Sequence, residues 1–173
     1  VHSMIKVLAT PSESVQRTVA DTLVKVVASF AATSEDALPN LMQQLLTSLT
    51  HADSYGERRG AAFGIAACCK GCGISTLKKS GAMDVLKAAV NDKKDARKRE
   101  GALMAFECLC DRLGRLFEPY VIQILPAMLV AYGDGTKVVR EATIRASRII
   151  MKNLSAQGVK LVLPALLNGL EDK

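Results

Sequence analysis

Tryptophan is absent from the 173 residues, and aromatics are confined to four phenylalanines and three tyrosines. A core must therefore be built from Leu, Val, Ile and Ala, which suits tightly stacked helices. The same scarcity leaves no aromatics interleaved with basic residues, so stacking on single-stranded bases is excluded. Histidine occurs twice, at His2 and His51, and no motif places a nucleophile or acid beside either. No constellation for acid–base or nucleophilic catalysis is present, and the chain reads as non-enzymatic, without a cofactor or small-molecule substrate. The five cysteines form an odd set without disulfide-like spacing. They indicate a reducing cytosolic or nuclear compartment.

Cys68, Cys69 and Cys72, with Cys108 and Cys110, do not make a CxxC paired with a second CxxC, and no His lies near, so a zinc site is not indicated. They read as small buried core residues. Gly133-Asp134-Gly135-Thr136 is too short for a phosphate loop and lacks the following lysine, so it reads as a turn. No run of about 18 apolar residues that would cross a membrane is expected. No basic-then-apolar leader opens the chain. Alternating strand patterns are short, and hairpin dipeptides between β-branched runs are missing.

What is present is a period. Gln16, Arg58, Arg99 and Arg140 hold equivalent places and are separated by 42, 41 and 41 residues. Lys98-Arg99-Glu100-Gly101-Ala102 overlays Glu57-Arg58-Arg59-Gly60-Ala61 and Val139-Arg140-Glu141-Ala142-Thr143. A period in the low forties with two helices per unit defines an α-solenoid. The predicted architecture is all-α: about four antiparallel helix pairs stacked right-handedly, plus the first helix of a fifth. The expected units are 1–32, 34–72, 74–114, 116–154 and a partial 156–173. Val1 opens and Lys173 stops mid-pattern, which reads as a piece of a longer protein with apolar end faces that associate end to end.

Locally, Thr10 is expected to cap a helix with Pro11 in its first turn and Glu13 as a capping-box partner. That helix should bury Val15, Val19, Leu23, Val26, Val27 and Phe30. Leu38, Leu41, Leu45, Leu46 and Leu49 should face inward from the next. The helix from about Glu57 to Cys69 is apolar almost all round, as a helix buried on most sides would be. Gly60 and Gly64 allow close backbone approach there. Pro126 is expected to kink its helix, and Pro164 precedes Asp172 by eight residues as Pro126 precedes Asp134.

A proline in the first helix, an aspartate in the turn and Val-Arg opening the second resembles the HEAT repeat, best matched by Pro126, Asp134 and Val139-Arg140. Tyr55 to Gly64, Arg99 to Glu107, Leu113 to Val121 and Asn153 to Pro164 resemble the general control nonderepressible family of translational activators, activators of the initiation factor two kinase. The resemblance implies a large HEAT-repeat scaffold that senses stalled ribosomes in the amino-acid starvation response. It places this piece in or next to the region similar to fungal elongation factor three. It implies a cytoplasmic setting, ribosome contact and an ABC-type ATPase partner. Kinase contact is not assigned to any residue here.

The net charge of +6 at pH 7 points toward acidic partners such as RNA or acidic protein surfaces. Repeats align their turns along one edge. Arg58, Arg59, Lys93, Lys94, Arg97, Lys98 and Lys137 are the candidate contacts on that basic edge, suited to rRNA phosphates or acidic ribosomal proteins. Arg99, Arg140 and Asp134 read as structural repeat positions, with Pro126 and Pro164. Arg58 has an equal claim to that role, because the helix-opening Arg of such repeats pairs with a neighbouring turn Asp. Glu100, Glu107 and Asp111 lie on a solvated or ion-paired helix face. The alternative function is a HEAT protein–protein adaptor or transport scaffold without nucleic-acid contact.

Overall fold

The computed structural model describes residues 1–171, and they are helical apart from short turns. In chain order the helices are α1 (His2–Leu8), α2 (Glu13–Ala31), α3 (Ala37–His51), α4 (Tyr55–Cys72), α5 (Ser75–Lys79), α6 (Ala82–Val90) and α7 (Ala96–Leu113). A short 3₁₀ turn (Gly114–Phe117) leads into α8 (Glu118–Tyr132), followed by α9 (Lys137–Asn153) and α10 (Ala156–Glu171). They stack as an all-α solenoid. Helices α2, α4, α7 and α9 pack side by side as one layer. Helices α1, α3, α6, α8 and α10 form the other, and α1 and α3 also reach the second helix of the following pair.

The core is aliphatic and thiol-rich. Helix α4 is buried from Arg58 through Cys69, and α7 from Glu100 through Cys110. The phenylalanines Phe63, Phe106 and Phe117 are the largest wholly buried side chains. Close approach needs glycine at two equivalent places. A Cβ on Gly60 would lie 1.8 Å from the carbonyl oxygen of Leu8, and one on Gly101 would lie 2.4 Å from that of Leu49. Each glycine thus lets the preceding pair's first helix press its last turn against the second-helix layer.

Several local expectations shift. Helix α2 begins at Glu13 with Ser12 as N-cap, not at Thr10. Glu13 is drawn instead into ion pairs with Arg17 and Arg59. The buried stripe of α2 is Gln16, Ala20, Leu23 and Val27, so Val15 faces outward. Leu23 and Val27 are buried as expected, Val19, Val26 and Phe30 are partly buried, and Gln16 takes the inner place of Val15, held by hydrogen bonds to backbone carbonyls. In α3 the buried face is Leu41, Met42, Leu45, Leu46 and Leu49.

Helix α8 runs through Pro126, and α10 through Pro164. Both prolines are solvent-exposed, so the carbonyls they leave unpaired face water. Asp172 lies outside the described residues. The stretch Ala96–Tyr132 holds one apolar window long enough for a membrane, contrary to expectation. The chain turns at Gly114 (φ +54°) within that stretch, and its two helices pack into the solenoid.

Candidate partner-binding edge

The four period-equivalent side chains perform one task. Gln16 Nε2 donates to the carbonyls of Leu8 (2.9 Å) and Thr10 (2.6 Å), and across to Gly56 (2.8 Å). Arg58 Nη1 donates to Ala52 (3.0 Å) and Asp53 (2.8 Å). Arg99 Nη1 donates to Asp92 at 2.8 Å, and Arg140 Nη1 donates to Asp134. Each side chain reaches back from the first turns of a second helix to carbonyls at the preceding turn. Those carbonyls would otherwise be left without partners at a partly buried bend. The requirement is for a long donor, which Gln and Arg both satisfy.

The arginines also join neighbouring pairs. Arg58 Nη2 meets Glu100 Oε2 at 2.7 Å, and both side chains are buried. Arg99 grips Asp134 with two bonds, Nε to Oδ2 at 2.7 Å and Nη2 to Oδ1 at 3.1 Å. The Arg99 bonds, against some opposing burial, hold the Asp134 carboxyl below its usual range. Asp134 also accepts from the Thr136 N–H at 2.8 Å, which shapes the turn.

Burial overturns two candidates. Arg58 is 5% exposed and Arg59 is 3% exposed, so neither lies on a basic edge. Arg59 points between α2 and α7, where it meets Glu13 at 3.0 Å and Glu107 at 3.4 Å. Glu100 and Glu107 are likewise buried and ion-paired, not solvated.

The remaining candidates lie on the α6–α7 and α8–α9 turns. Asp92 organises the first of these. Its Oδ1 accepts the N–H groups of Lys94 and Asp95, both at 2.8 Å, and those two bonds lower its carboxyl pKa. Asp95 then caps α7 by accepting the Arg97 N–H at 2.9 Å. Lys98 pairs with Asp92 at 3.4 Å, and Arg97 pairs with Asp53 and Asp95. Lys93 and Lys94 are exposed and have no carboxylate within ion-pair distance among the described residues. Lys137 is 79% exposed, with Glu141 at 3.7 Å one turn on. Lys93, Arg99 and Asp134 border a cleft of 370 Å³ between the two turns, beside Val130.

A second polar cluster carries no signal in the repeat words. Arg17, Arg59 and Arg112 place guanidinium carbons 5.3, 5.5 and 5.7 Å from the ring centroid of Phe63. Arg17 also meets Asp111 at 3.1 Å, and Arg112 pairs with Asp21. These bridges cross over α4 and tie α2 to α7. The one available sequence signal is Glu100, Glu107 and Asp111, acids at helical spacing within an otherwise apolar helix. The thiols are free: Cys68, Cys69, Cys108 and Cys110 are buried, and Cys72 is half-buried.

Stacked helix pairs with turn aspartates and helix-opening arginines define a HEAT-repeat protein. Residues 58–173 match the family model described as EF3 N-terminal HEAT repeat, and the chain belongs to that family. Over all 173 residues it is 54% identical to Protein ILITYHIA of Arabidopsis thaliana and 49% identical to the stalled ribosome sensor GCN1 of Homo sapiens. It is 44% identical over the same length to the eIF-2-alpha kinase activator GCN1 of Dictyostelium discoideum. The chain spans 6% of the length of each of these relatives. No solved structure matches it.

Proposed function

We propose that this chain is a non-catalytic, cytoplasmic scaffold segment that helps seat a translational activator on ribosomes, within the signalling that activates the initiation factor two kinase. Relatives named as a stalled ribosome sensor and as eIF-2-alpha kinase activators support the setting. The contact surface is the turn edge carrying Lys93, Lys94 and Lys137, with Arg97 and Lys98 engaging by exchanging their aspartates for a partner's phosphate or carboxylate. The observation that carries the reading is that, among the described residues, Lys93 and Lys94 stand in solvent without a carboxylate partner, beside cations that have one. Around the α6–α7 and α8–α9 turns, seven basic residues (Lys93, Lys94, Arg97, Lys98, Arg99, Lys137 and Arg140) stand against five acids (Asp53, Asp92, Asp95, Asp134 and Glu141), an excess of two positive charges. Rigid stacking fixes the spacing of those charges, which suits a phosphate backbone or an acidic protein tail. An ABC-type ATPase partner belongs to the same proposal, and the kinase itself is assigned to other parts of such proteins.

Ribosome cosedimentation tests this. The triple reversal Lys93→Glu, Lys94→Glu and Lys137→Glu should abolish pelleting at low salt while helical circular dichroism is unchanged. Undiminished pelleting of the folded triple variant would remove the edge from the contact and favour a protein-only adaptor.

A further inference from the structure

We infer that a second docking surface, a groove between α5–α6 and the start of α8, takes an acidic segment of a partner protein carrying one apolar anchor residue. Two interruptions of the solenoid create it. The first helix of the third pair breaks between α5 and α6 at Gly81, whose φ of +65° favours glycine. Helix α7 ends at Gly114, and the 3₁₀ turn that follows lifts Leu116 to 62% exposure. Between the two breaks lies a groove of 610 Å³. Leu77 and Met83 form its apolar floor, and Leu116 and Tyr120 its lip.

Charge complementarity names the occupant. Lys78 and Lys87 stand on the rim, and neither has a carboxylate within ion-pair distance among the described residues. Lys87 instead donates to neutral Gln123 at 2.6 Å, a bond that an incoming carboxylate can replace. The lining holds one acid, Asp84. An apolar floor beneath two available ammonium groups suits a leucine or phenylalanine side chain flanked by Asp or Glu. A nucleic-acid backbone has no use for the floor. This groove sits at the opposite ends of α6 and α8 from the turns bearing Lys93 and Lys94, so it extends the proposed function and can fail independently of it.

The test is fluorescence anisotropy of the 173-residue chain with a labelled peptide in which one leucine is flanked by Asp and Glu. The comparison ligands are the same peptide with Lys in place of the acids, and oligouridylate. The expected result is binding of the acidic peptide at low salt, weakened about tenfold by the pair Lys78→Glu and Lys87→Glu. Leu116→Asp, at a solvent-exposed position, should weaken it similarly while circular dichroism stays unchanged. The control pair Lys25→Glu and Lys152→Glu, exposed residues outside both surfaces, should leave it unchanged, and the lysine peptide should gain affinity for the Lys78/Lys87 reversal variant. No binding of the acidic peptide, equal binding of the lysine peptide to the unaltered chain, or competition by oligouridylate would each overturn the inference. So would equal weakening by the Lys25/Lys152 control.

Discussion

Arg58 on α4 and Glu100 on α7 share one hydrogen-bonded ion pair of 2.7 Å, closed off from water at both ends. The same guanidinium closes the α3–α4 turn through the carbonyls of Ala52 and Asp53. A buried pair of this kind contributes little net stability against an apolar substitute, but breaking one side leaves a bare charge inside. Arg58→Ala or Glu100→Ala should therefore destabilise the chain by about 3–5 kcal/mol. Arg58→Ala with Glu100→Ala together should lose far less than the two single changes added. Urea unfolding of the four proteins measures this cycle. Additive losses would mean that the two residues act separately.

Gly60 and Gly101 give a contrasting case. In an open helix, alanine would gain about 1 kcal/mol over glycine. Here its methyl would collide with backbone carbonyls of Leu8 and Leu49, which have no rotamer to escape by. Overpacking of about 1–3 kcal/mol should win, with Gly60→Ala the worse because its contact is shorter. Thermal unfolding of both variants should show a lower midpoint. A higher midpoint for either would mean that the preceding helix moves aside freely.

The solenoid was legible in the sequence because its period is written in residues that each turn needs. Arg58, Arg99 and Arg140 recur because each bend exposes carbonyls to be closed, and Gly60 and Gly101 because the layers meet there. The direction of each side chain was less legible. Arg58 and Arg59 are adjacent and basic, and from sequence they read as edge charge. Their burial depends on Glu100, Glu107 and Glu13, which lie on other helices at distances set by stacking. The strap of Arg17 and Arg112 across Phe63 left only the acids of α7 as a signal for the same reason, since its partners lie 94 and 91 residues apart. Val15 faces outward because the three hydrogen bonds available to Gln16 inside outweigh the apolarity of the valine.

Asp134 predicts an acid sensitivity with a definite sign. Its carboxyl is held below the usual range, first by the hydrogen bond from Arg99 and further by the Thr136 N–H. A depressed folded value contributes stability that is present above the unfolded value of about 3.9 and lost as pH falls through the folded one. Asp134→Asn should be less stable than the unaltered chain at pH 6. The gap between them should narrow below about pH 4. Glu13, Asp92 and Glu118 are depressed as well, so the difference between the two proteins, not the absolute midpoint, carries the information. A gap that stays constant from pH 6 to pH 3 would deny the linkage.

The thiols predict selective chemistry. Burial, with a smaller contribution from Cys72, pushes Cys69 up to about 12, and burial pushes Cys108 to about 12 and Cys110 to about 11. Cys68 rises further by the same cause, and half-buried Cys72 rises less. Thiolate is the reactive species, so buried thiols at these values are inert at neutral pH. Intact-mass measurement after brief iodoacetamide treatment at pH 8 should show at most one adduct, on Cys72, and five adducts in urea. Their linkage sign is opposite to that of Asp134. The folded state holds these protons more tightly, so stability present below about pH 8.5 declines as pH rises above it. Rapid labelling of Cys68 or Cys108 in the folded chain would contradict the packing of α4 against α7.

The turn edge should divide its cations by what already neutralises them. Lys93 and Lys94 have no internal carboxylate among the described residues, and Lys137 faces Glu141 only loosely, so each can release a counterion on meeting a phosphate. Arg97 and Lys98 must first surrender Asp53, Asp95 or Asp92. Part of any phosphate contact they make is then offset by an aspartate left bare. Neutralising Lys93, Lys94 and Lys137 to Gln should flatten the log–log salt dependence of ribosome or RNA binding by about two to three units. Neutralising Arg97 and Lys98 should flatten it by less than about one unit per residue. Replacing Asp53 and Asp92 with Asn should act in the other direction and steepen it, because Lys98 loses its carboxylate and Arg97 keeps only Asp95. A salt slope insensitive to all three sets would show that the edge makes no phosphate contact.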